Sequence, residues 1–435
     1  MSSTDQLART ITLFQTDLEI LDAGLIERAL TRLEIALVAG DAVMRTRAGQ
    51  IAVLTSAMLL ARSGHKVFIN VFDVPLIGHQ PPFQGATVYE AITNLRGQLI
   101  EGSDISIGYP VRPSIAFDFA GRSCIAPFKE TRTVSVGWSR WVGELADWPW
   151  KPPCTEDEWP MGAMAAAVLV AAEAVKVAAW SLAPVSGHPG YVRELFAPSR
   201  IAMLRLAPEH TPTVSTLGAF DIISAGAVSN AFLYALLRLP DVVGEARSFD
   251  RDFSDQANRN RNMLLIAALE HLAKVDLFAH FGRGLLVRPV RRHFVEADLT
   301  DLAPNVAVGV DDIPTRWLLA GAQTNWMGVG ATTDFGSMAS IHFPYSACAA
   351  CQHPHNEDAP GPTPTIAFVS FLSGLLVAAD FLVEISRSTA NIASKQRLVF
   401  PLRSDTPNGV HATLVSPRAD CPARCPASQI KRTGT

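Results

Sequence analysis

Asp221-Ile-Ile-Ser-Ala-Gly-Ala-Val-Ser-Asn230 and, twenty residues on, Asp250-Arg-Asp-Phe-Ser-Asp-Gln-Ala-Asn-Arg-Asn-Arg-Asn-Met263 decide how this chain is read. The first stretch runs from a strand, Asp221–Ser224, through small residues into a helix. A dinucleotide fold places G-x-G-x-x-G there, but Ser224 and Ser229 stand where two of the glycines would be. Gly226 alone is left to let the backbone approach a phosphate. By itself the turn is equally a tight strand-to-helix connection. The second stretch adds chemistry. An acidic residue about 20 positions past a phosphate turn is where a ribose is bound. Asp250 and Asp252 share one side of an extended strand end, by alternation. Asn258 and Arg261, three apart, share one face of a helix start and can aim an amide and a guanidinium at one polyphosphate. An exposed polar loop has the same composition, so that alternative stands beside the first.

Outward from these stretches, strands and helices alternate. The first half offers a strand at Ile35–Ala39, a helix at Gln50–Arg62, a strand at Val67–Val74, a helix at Val88–Leu99 and a short run at Ile105–Ile107. The second half offers helices at Val228–Leu239 and Met263–Phe278, with strands at Ala246–Phe249, Leu285–Val287 and Asn305–Val310. Each half places an Ala-rich helix late, at Gly162–Trp180 and Ser370–Ile385. This alternation predicts an α/β fold of two related domains with mostly parallel central sheets, residues 1–195 and 196–435, meeting near Val192–Pro212.

The composition fits two folded cores. Hydrophobic residues make up 48% of the 435 and charged residues 18%, which excludes a disordered chain. With 37 Lys+Arg against 41 Asp+Glu, a formal charge of -4, there is no global basic field and no nucleic-acid partner is expected. Met161–Leu182 and Ile366–Ile385 are apolar enough to resemble membrane spans. The first contains Glu173 and Lys176, the second Asp380 and Glu384, so both are expected to be buried core helices and no membrane span is expected. Six cysteines are too few for a disulfide scaffold, and the N-terminal residues lack the order of a secretory signal. A cytoplasmic, reducing compartment is the expectation. Cys348-Ala-Ala-Cys351 and Cys421-Pro-Ala-Arg-Cys425 suit tetrahedral Zn²⁺, which would staple the C-terminal segment to the region before it. Buried apolar cysteines or an oxidised pair are the alternatives, and His353 or His355 could substitute for one sulfur of a zinc site.

D-x-D followed by N-x-N-R resembles the nucleotide signature of E1-type (ThiF-like) enzymes, which activate ubiquitin-like proteins and sulfur carriers. Further pieces fall in that family's order. Lys274 in Leu272-Ala-Lys-Val matches a phosphate-binding lysine, and Asp311, five residues before Arg316, resembles a magnesium aspartate. The Cys348 pair, a Pro-rich crossover, an apolar helix and the Cys421 pair follow. The resemblance implies two ThiF-type adenylation domains of Rossmann-like fold, the second active and the first a degenerate copy without nucleotide. In the first, Phe72-Asp-Val74 is followed by no N-x-N-R. An arginine of the opposite domain can reach the nucleotide in this family, but the sequence around Arg9 departs too far to assign it.

The resemblance implies ATP and Mg²⁺ as cofactors and a ubiquitin-like protein as partner. A carboxyl terminus, with a pKa of about 3.3–3.7, is already an anion at neutral pH and needs no general base to attack the α-phosphate. Gly226 would face the phosphates and Asn258 the nucleotide. Arg261 and Lys274 would clamp phosphates, Asp311 would hold Mg²⁺, and Asp250 or Asp252 would fix the ribose. Bacterial relatives act with an E2-like conjugating protein in systems linked to antiviral defence, which implies thioester transfer. Cys348, Cys351, Cys124 or Cys154 would serve as the thiol, or the chain stops at the adenylate as sulfur-carrier activators do. A non-catalytic E1-like subunit and a nicotinamide-dependent oxidoreductase are the rival readings. A homodimer is left open.

Overall fold

The computed structural model describes residues 3–119, 131–155, 158–322, 324–355, 363–387, 393–403 and 410–430. Two sheets organise them. The first contains β1 (Glu34–Ala39), β2 (Lys66–Asn70), β3 (Ile105–Ile107), β4 (Ile115–Phe119), β5 (Thr133–Trp138), β6 (Val142–Asp147) and β7 (Ile201–Arg205). Its order is β3-β2-β1-β4-β5-β6-β7, parallel through β5 and antiparallel thereafter.

The second contains β8 (Thr216–Ile223), β9 (Val243–Phe249), β10 (Leu285–Val290), β11 (Asn305–Val308), β12 (Trp326–Thr333), β13 (Gly336–His342), β14 (Lys395–Val399) and β15 (Val410–Leu414). Its order, β10-β9-β8-β11-β12-β13-β14-β15, repeats that of the first with one more strand. The chain is therefore two doubly wound α/β lobes with mostly parallel sheets. The first sheet takes its last strand from Ile201–Arg205, so the handover between sheets lies between Arg205 and Thr216.

The burial patterns explain why these segments are strands. β1 is buried on both faces, as a central parallel strand covered by helices must be, whereas the edge strand β7 alternates exposed and buried. The two late helices, Met161–Trp180 and Ala367–Ile385, are buried inside the lobes almost end to end. Their small residues let sheet and helix touch. A Cβ at Gly143 on β6 would lie 2.1 Å from the backbone nitrogen of Ala166. Close packing accounts for the Ala-rich sequence of Met161–Trp180.

The lobes grip one another reciprocally. Arg62, ending the helix Arg47–Arg62 of the first lobe, donates to the carbonyls of Arg259, Met263 and Leu265 in the second. Arg238, following the equivalent helix Ala227–Leu236, donates to Pro81 of the first. Arg47 adds bonds to the carbonyls of Arg238 and Leu239, and Thr55 Oγ meets the Tyr234 hydroxyl at 3.1 Å. Burial pulls the Arg62 guanidinium down to about 9 and Arg238 to about 10, so these charges depend on the carbonyls they reach.

One expected helix is absent. Met263–Phe278 does not form a continuous helix: a short 3-10 turn occupies Ala267–Leu269, and the α-helix begins only at Lys274, ending at Phe281. Met263, Leu264 and Leu265 are apolar because they are buried, with the Met263 and Leu265 carbonyls accepting from Arg62 across the seam. Their hydrophobicity reports lobe contact, not a helical face. Similarly, the helix expected over Val88–Leu99 ends at Leu95.

Candidate functional site

The second sheet reverses direction of growth between β8 and β11, and the loops leaving the carboxyl ends of these strands diverge there. Open α/β sheets bind ligands in that crevice. Here it is a cavity of about 420 Å³. Gly226, Asp250, Asp252, Asn258, Arg261, Lys274 and Asp311 all line it. So do Arg9, Arg316 and Thr365, from segments distant in sequence.

The turn after β8 is held by its own side chains. Ser224 takes a left-handed conformation, φ 75°, the role expected of a glycine. Its hydroxyl accepts from the Gly226 N–H at 3.1 Å, and the Asp250 carboxylate accepts from the Ala225 N–H at 2.7 Å. Gly226 is the N-cap of the helix Ala227–Leu236. The amino end of that helix opens on the cavity, a setting that favours anions.

Asp250 also accepts from the Asp252 N–H at 2.8 Å, so it shapes the turn as well as lining the cavity. Asp252 pairs with Lys274 at 2.9 Å, and that hydrogen bond holds its carboxyl below the usual range. The segment that follows is not the helix start expected from the spacing. Gln256–Asn258 is a single 3-10 turn capped by Asp255, whose carboxylate accepts from the Asn258 N–H at 3.0 Å. Asn258 and Arg261 still reach one cavity, but through a turn and not through one helical face.

Arg261 is nearly buried and donates to the Ala257 carbonyl at 2.5 Å and Asn260 Oδ1 at 2.7 Å. Burial lowers it to about 9; the nearby Arg9 guanidinium pushes the same way, against Asp255 and Asp311. Arg9 is itself lowered by burial and supported by the same two carboxylates. It projects from the N-terminal helix Ala8–Leu18 and donates to the Thr363 carbonyl at 3.2 Å. Two guanidiniums, both lowered by burial and Arg261 also by Arg9, share one cavity, a setting that favours an anion.

Asp311 follows β11 and precedes the helix Ile313–Ala320, which Asp312 caps through the Thr315 N–H at 2.8 Å. Arg316 is buried and donates twice to the Val310 carbonyl, at 2.6 and 3.0 Å, fixing the backbone that presents Asp311. Sequence reading raised Arg9 without assigning it and left Arg316 as a mere marker for Asp311. The signal for Arg316 was its spacing. Nothing local to Arg9 distinguishes it, because its role depends on a fold-level contact.

Cys348, Cys351, Cys421 and Cys425 lie on the far side of Ile313–Ala320, packed with Ala320 and Trp317. All four sulfurs are within 4.8 Å of one another, with separations of 3.8 Å (Cys348–Cys351), 3.6 Å (Cys348–Cys421) and 3.5 Å (Cys351–Cys425). A tetrahedral Zn²⁺ with bonds of about 2.3 Å needs sulfur–sulfur edges of about 3.8 Å. The donor set fits. Hydrogen bonding from Cys348 and the Arg418 backbone favours the thiolate at Cys351, while Cys348 keeps its proton.

Cys124 lies outside the described residues. Cys154 is half-buried beside the Val136 carbonyl of the first lobe. Among the described residues, no cysteine lines the cavity.

Comparison with known proteins adds two findings. The family model described as BilD N-terminal domain matches residues 34–188, most of the first sheet and its helices. No curated protein sequence matches the chain. Among solved structures, E. coli MccB with selenomethionine MccA is similar at 14% identity and a TM-score of 0.38, over 47% of this chain and 66% of that one. E. coli MccB with AMPCPP and MccA gives 12% identity and 0.39, over 67% and 97%. PaaA gives 12% and 0.35, over 46% and 64%. This chain thus spans just under two thirds of the first of these MccB chains.

Proposed function

We propose that this chain is an E1-like adenylating enzyme that uses MgATP to activate the carboxyl terminus of a polypeptide of ubiquitin-like kind. The observation that supports it is the convergence of Arg9, Arg261, Lys274 and Asp311 on one cavity at the reversal of the second sheet. A triphosphate would give Arg9, Arg261 and Lys274 one shared anionic partner, and Asp311 would supply an oxygen ligand for Mg²⁺. Asp250 or Asp252 takes the ribose. When bound, Mg²⁺ neutralises phosphate charge; Arg261 and Arg9 bind and orient the α-phosphate, and Lys274 exchanges Asp252 for phosphate. The substrate carboxylate, already ionised, needs positioning and positive charge more than a base.

In this reading the first lobe, residues 1–195 in the division by sequence, is a nucleotide-free partner that contributes Arg9. The four cysteines would hold structural Zn²⁺, fastening the segment around Cys421 to the helix region beside Asp311. Transfer through a thioester to an E2-like protein, a role in antiviral defence and a cytoplasmic setting are extensions of the same reading. A chain that stops at the adenylate, as sulfur-carrier activators do, is the second reading. It is favoured by the lack of a cavity-lining cysteine among the described residues.

The test is calorimetric titration with MgATP, followed by ATP–pyrophosphate exchange in the presence of co-expressed ubiquitin-like candidates. Exchange that depends on the candidate's free C-terminus is the expected result, lost in Asp311→Ala. Absence of MgATP binding overturns the proposal.

A further inference from the structure

The two sheets share one strand order, yet the second runs one strand further. Beyond β14, the counterpart of β7, the chain adds β15, antiparallel, with Lys395 opposite Leu414 and Val399 opposite Val410. Among the described residues, no strand does the same for β7, which ends the first sheet. Its backbone is open accordingly. The Arg200 carbonyl accepts from the Asp147 N–H, and the Leu206 N–H donates to the Trp141 carbonyl, both at 2.9 Å. Residues 200, 202, 204 and 206 therefore bond inward to β6, by the alternation of an antiparallel ladder. The N–H and C=O groups of Ile201, Met203 and Arg205 point away from the sheet, a template for one more strand.

The side chains suit docking at this edge. Ile201 is 59% exposed and Met203 44%, while Ala202 and Leu204 on the other face are buried. The late helix Met161–Trp180 packs behind them, so the strand is firmly backed. At its amino end, the turn that closes from the Trp150 N–H to the Asp147 carbonyl leaves Trp148 and Trp150 exposed and extends the apolar surface. The other sheet edges differ. β3 has three residues, and β10 carries Pro289 and the Arg288–Glu245 ion pair, which blunt an edge. β15 is exposed on both faces, so nothing backs a strand added to it.

Charge decides what kind of strand fits. Arg200 and Arg205 stand exposed at the two ends of the edge, and Lys151 is exposed beside Trp150. The acidic groups of this region are engaged or set back. Asp147 pairs with Arg132, and Glu209 accepts from the Ser139 hydroxyl. Glu144, on β6 opposite Met203, feels the Arg205 charge but makes no ion pair with it. Among the described residues, neither Arg200 nor Arg205 has an ion-pair partner. A second copy docked β7 to β7 would gather both arginines of both chains along one short seam, where like charges repel. An acidic strand meets no such cost.

We propose that the open edge of β7 is a docking site for an extended strand of another polypeptide, running antiparallel to β7. Its apolar residues would face Ile201 and Met203, and acidic residues at its ends would face Arg200 and Arg205. It completes the first sheet as β15 completes the second. Main-chain bonds supply affinity and the flanking side chains supply selectivity. The inference stands whether or not the chain adenylates a substrate.

The experiment uses the full chain and a fluorescent, disulfide-cyclised β-hairpin whose outer strand reads Glu-Thr-Val-Thr-Val-Glu. In antiparallel register the first glutamate meets Arg205, the first valine Met203, and the last glutamate Arg200. Forming the strand in advance lowers the ordering cost of binding. Two control hairpins carry lysine in place of both glutamates, or an N-methyl group on the first valine, whose N–H would bond to Met203. In anisotropy titrations the parent hairpin is expected to bind tighter than either control by about tenfold or more. In the Arg200→Glu/Arg205→Glu variant the order of the acidic and lysine hairpins is expected to reverse, a gain that an unfolded chain cannot give. Equal binding of the parent and N-methyl hairpins by the wild-type chain overturns strand addition, and equal or tighter binding of the lysine hairpin overturns the charge assignment. Neither comparison needs a variant to fold. Light scattering runs alongside: a dimer that is dispersed by Met203→Pro, which removes an outward N–H from an edge strand, gives the edge to a second copy and overturns the proposal.

Discussion

The two lobes solve the same structural problem with the same parts and arrive at opposite results. In each, the fourth residue of the long helix that follows the lobe's first strand ties down the loop that leaves the next strand. In the first lobe that residue is Gln50. Its carbonyl accepts from the Ile77 N–H and the Gln80 amide, and its own amide donates to the carbonyls of Met44 and Pro75. In the second it is Asn230, which accepts from the Leu264 N–H at 2.8 Å. Gln50 catches its loop at Ile77, seven residues beyond β2, whereas Asn230 catches its loop at Leu264, fifteen beyond β9. The longer excursion carries Asp250, Asn258 and Arg261 around a cavity. The shorter one lies on the helix start, where Arg47 packs against Gly78 so closely that a Cβ there would lie 2.3 Å from its Nη1. Asp73 and Asp252, each three residues past its strand, mark the divergence. Asp73 accepts from the Tyr89 N–H and stays structural, while Asp252 meets Lys274.

The strongest way to break this comparison is to strike equivalent loops. Arg261→Ala is expected to lower ATP–pyrophosphate exchange by about a thousandfold, or about 4 kcal/mol of transition-state stabilisation. Gln80→Ala, in the shorter loop, is expected to change exchange less than twofold per folded molecule. Comparable losses in both would show that the first lobe also handles nucleotide.

Thiols distinguish the lobes next. Cys421→Ser is expected to abolish a stoichiometry of one zinc per chain, read by elemental analysis. Unfolding stability in urea should fall by about 3 kcal/mol, because losing a structural metal unties the segment it holds. A chain that is as stable and as active after zinc removal would assign the cysteines to simple packing.

The tether itself comes third. Gln50→Ala leaves an N–H and two carbonyls without their partner, a loss of about 2 kcal/mol. Asn230→Ala removes one bond and is expected to cost about 1 kcal/mol in stability, yet to raise the Michaelis constant for ATP as its loop loosens. Equal effects on ATP would mean that loop length, not loop chemistry, separates the lobes.

The sequence carried the strand–helix alternation and the polar residues of the long loop, because buried parallel strands are uniformly apolar and D-x-D with N-x-N-R stands out against them. All seven nucleotide candidates reach one cavity, and the four cysteines reach one another. The failures lie where the lobes meet. Met263–Leu265 resembles a helix face because contact with the other lobe imposes the same apolarity. Arg9 resembles any surface arginine, because the Thr363 carbonyl and the Arg261 guanidinium that define its surroundings are more than 250 residues away. Local periodicity records which side of an element is buried. It does not record which neighbour buries it.

That seam yields the smallest predicted effect, and its sign is fixed by the direction of a titration. Asp17 stands on the helix Ala8–Leu18, which touches the second lobe at Thr363 and Thr365, and its carboxyl is raised to about 6 by burial and by Asp334. The folded state therefore binds its proton more tightly than the unfolded state does. Stability falls as pH rises from about 4 to about 6, and the cost is fully present above that range. Asp17→Asn removes the charge, so the variant is expected to be more stable than wild type at pH 7.5 by about 1 kcal/mol, after allowance for solvent at a half-buried site. At pH 4 the two should unfold together. Thermal melts at both pH values read the difference. A variant that is less stable at pH 7.5 would mean that a cation of the protein already pairs with Asp17, and that the seam between the lobes is balanced where its neighbours make it acidic.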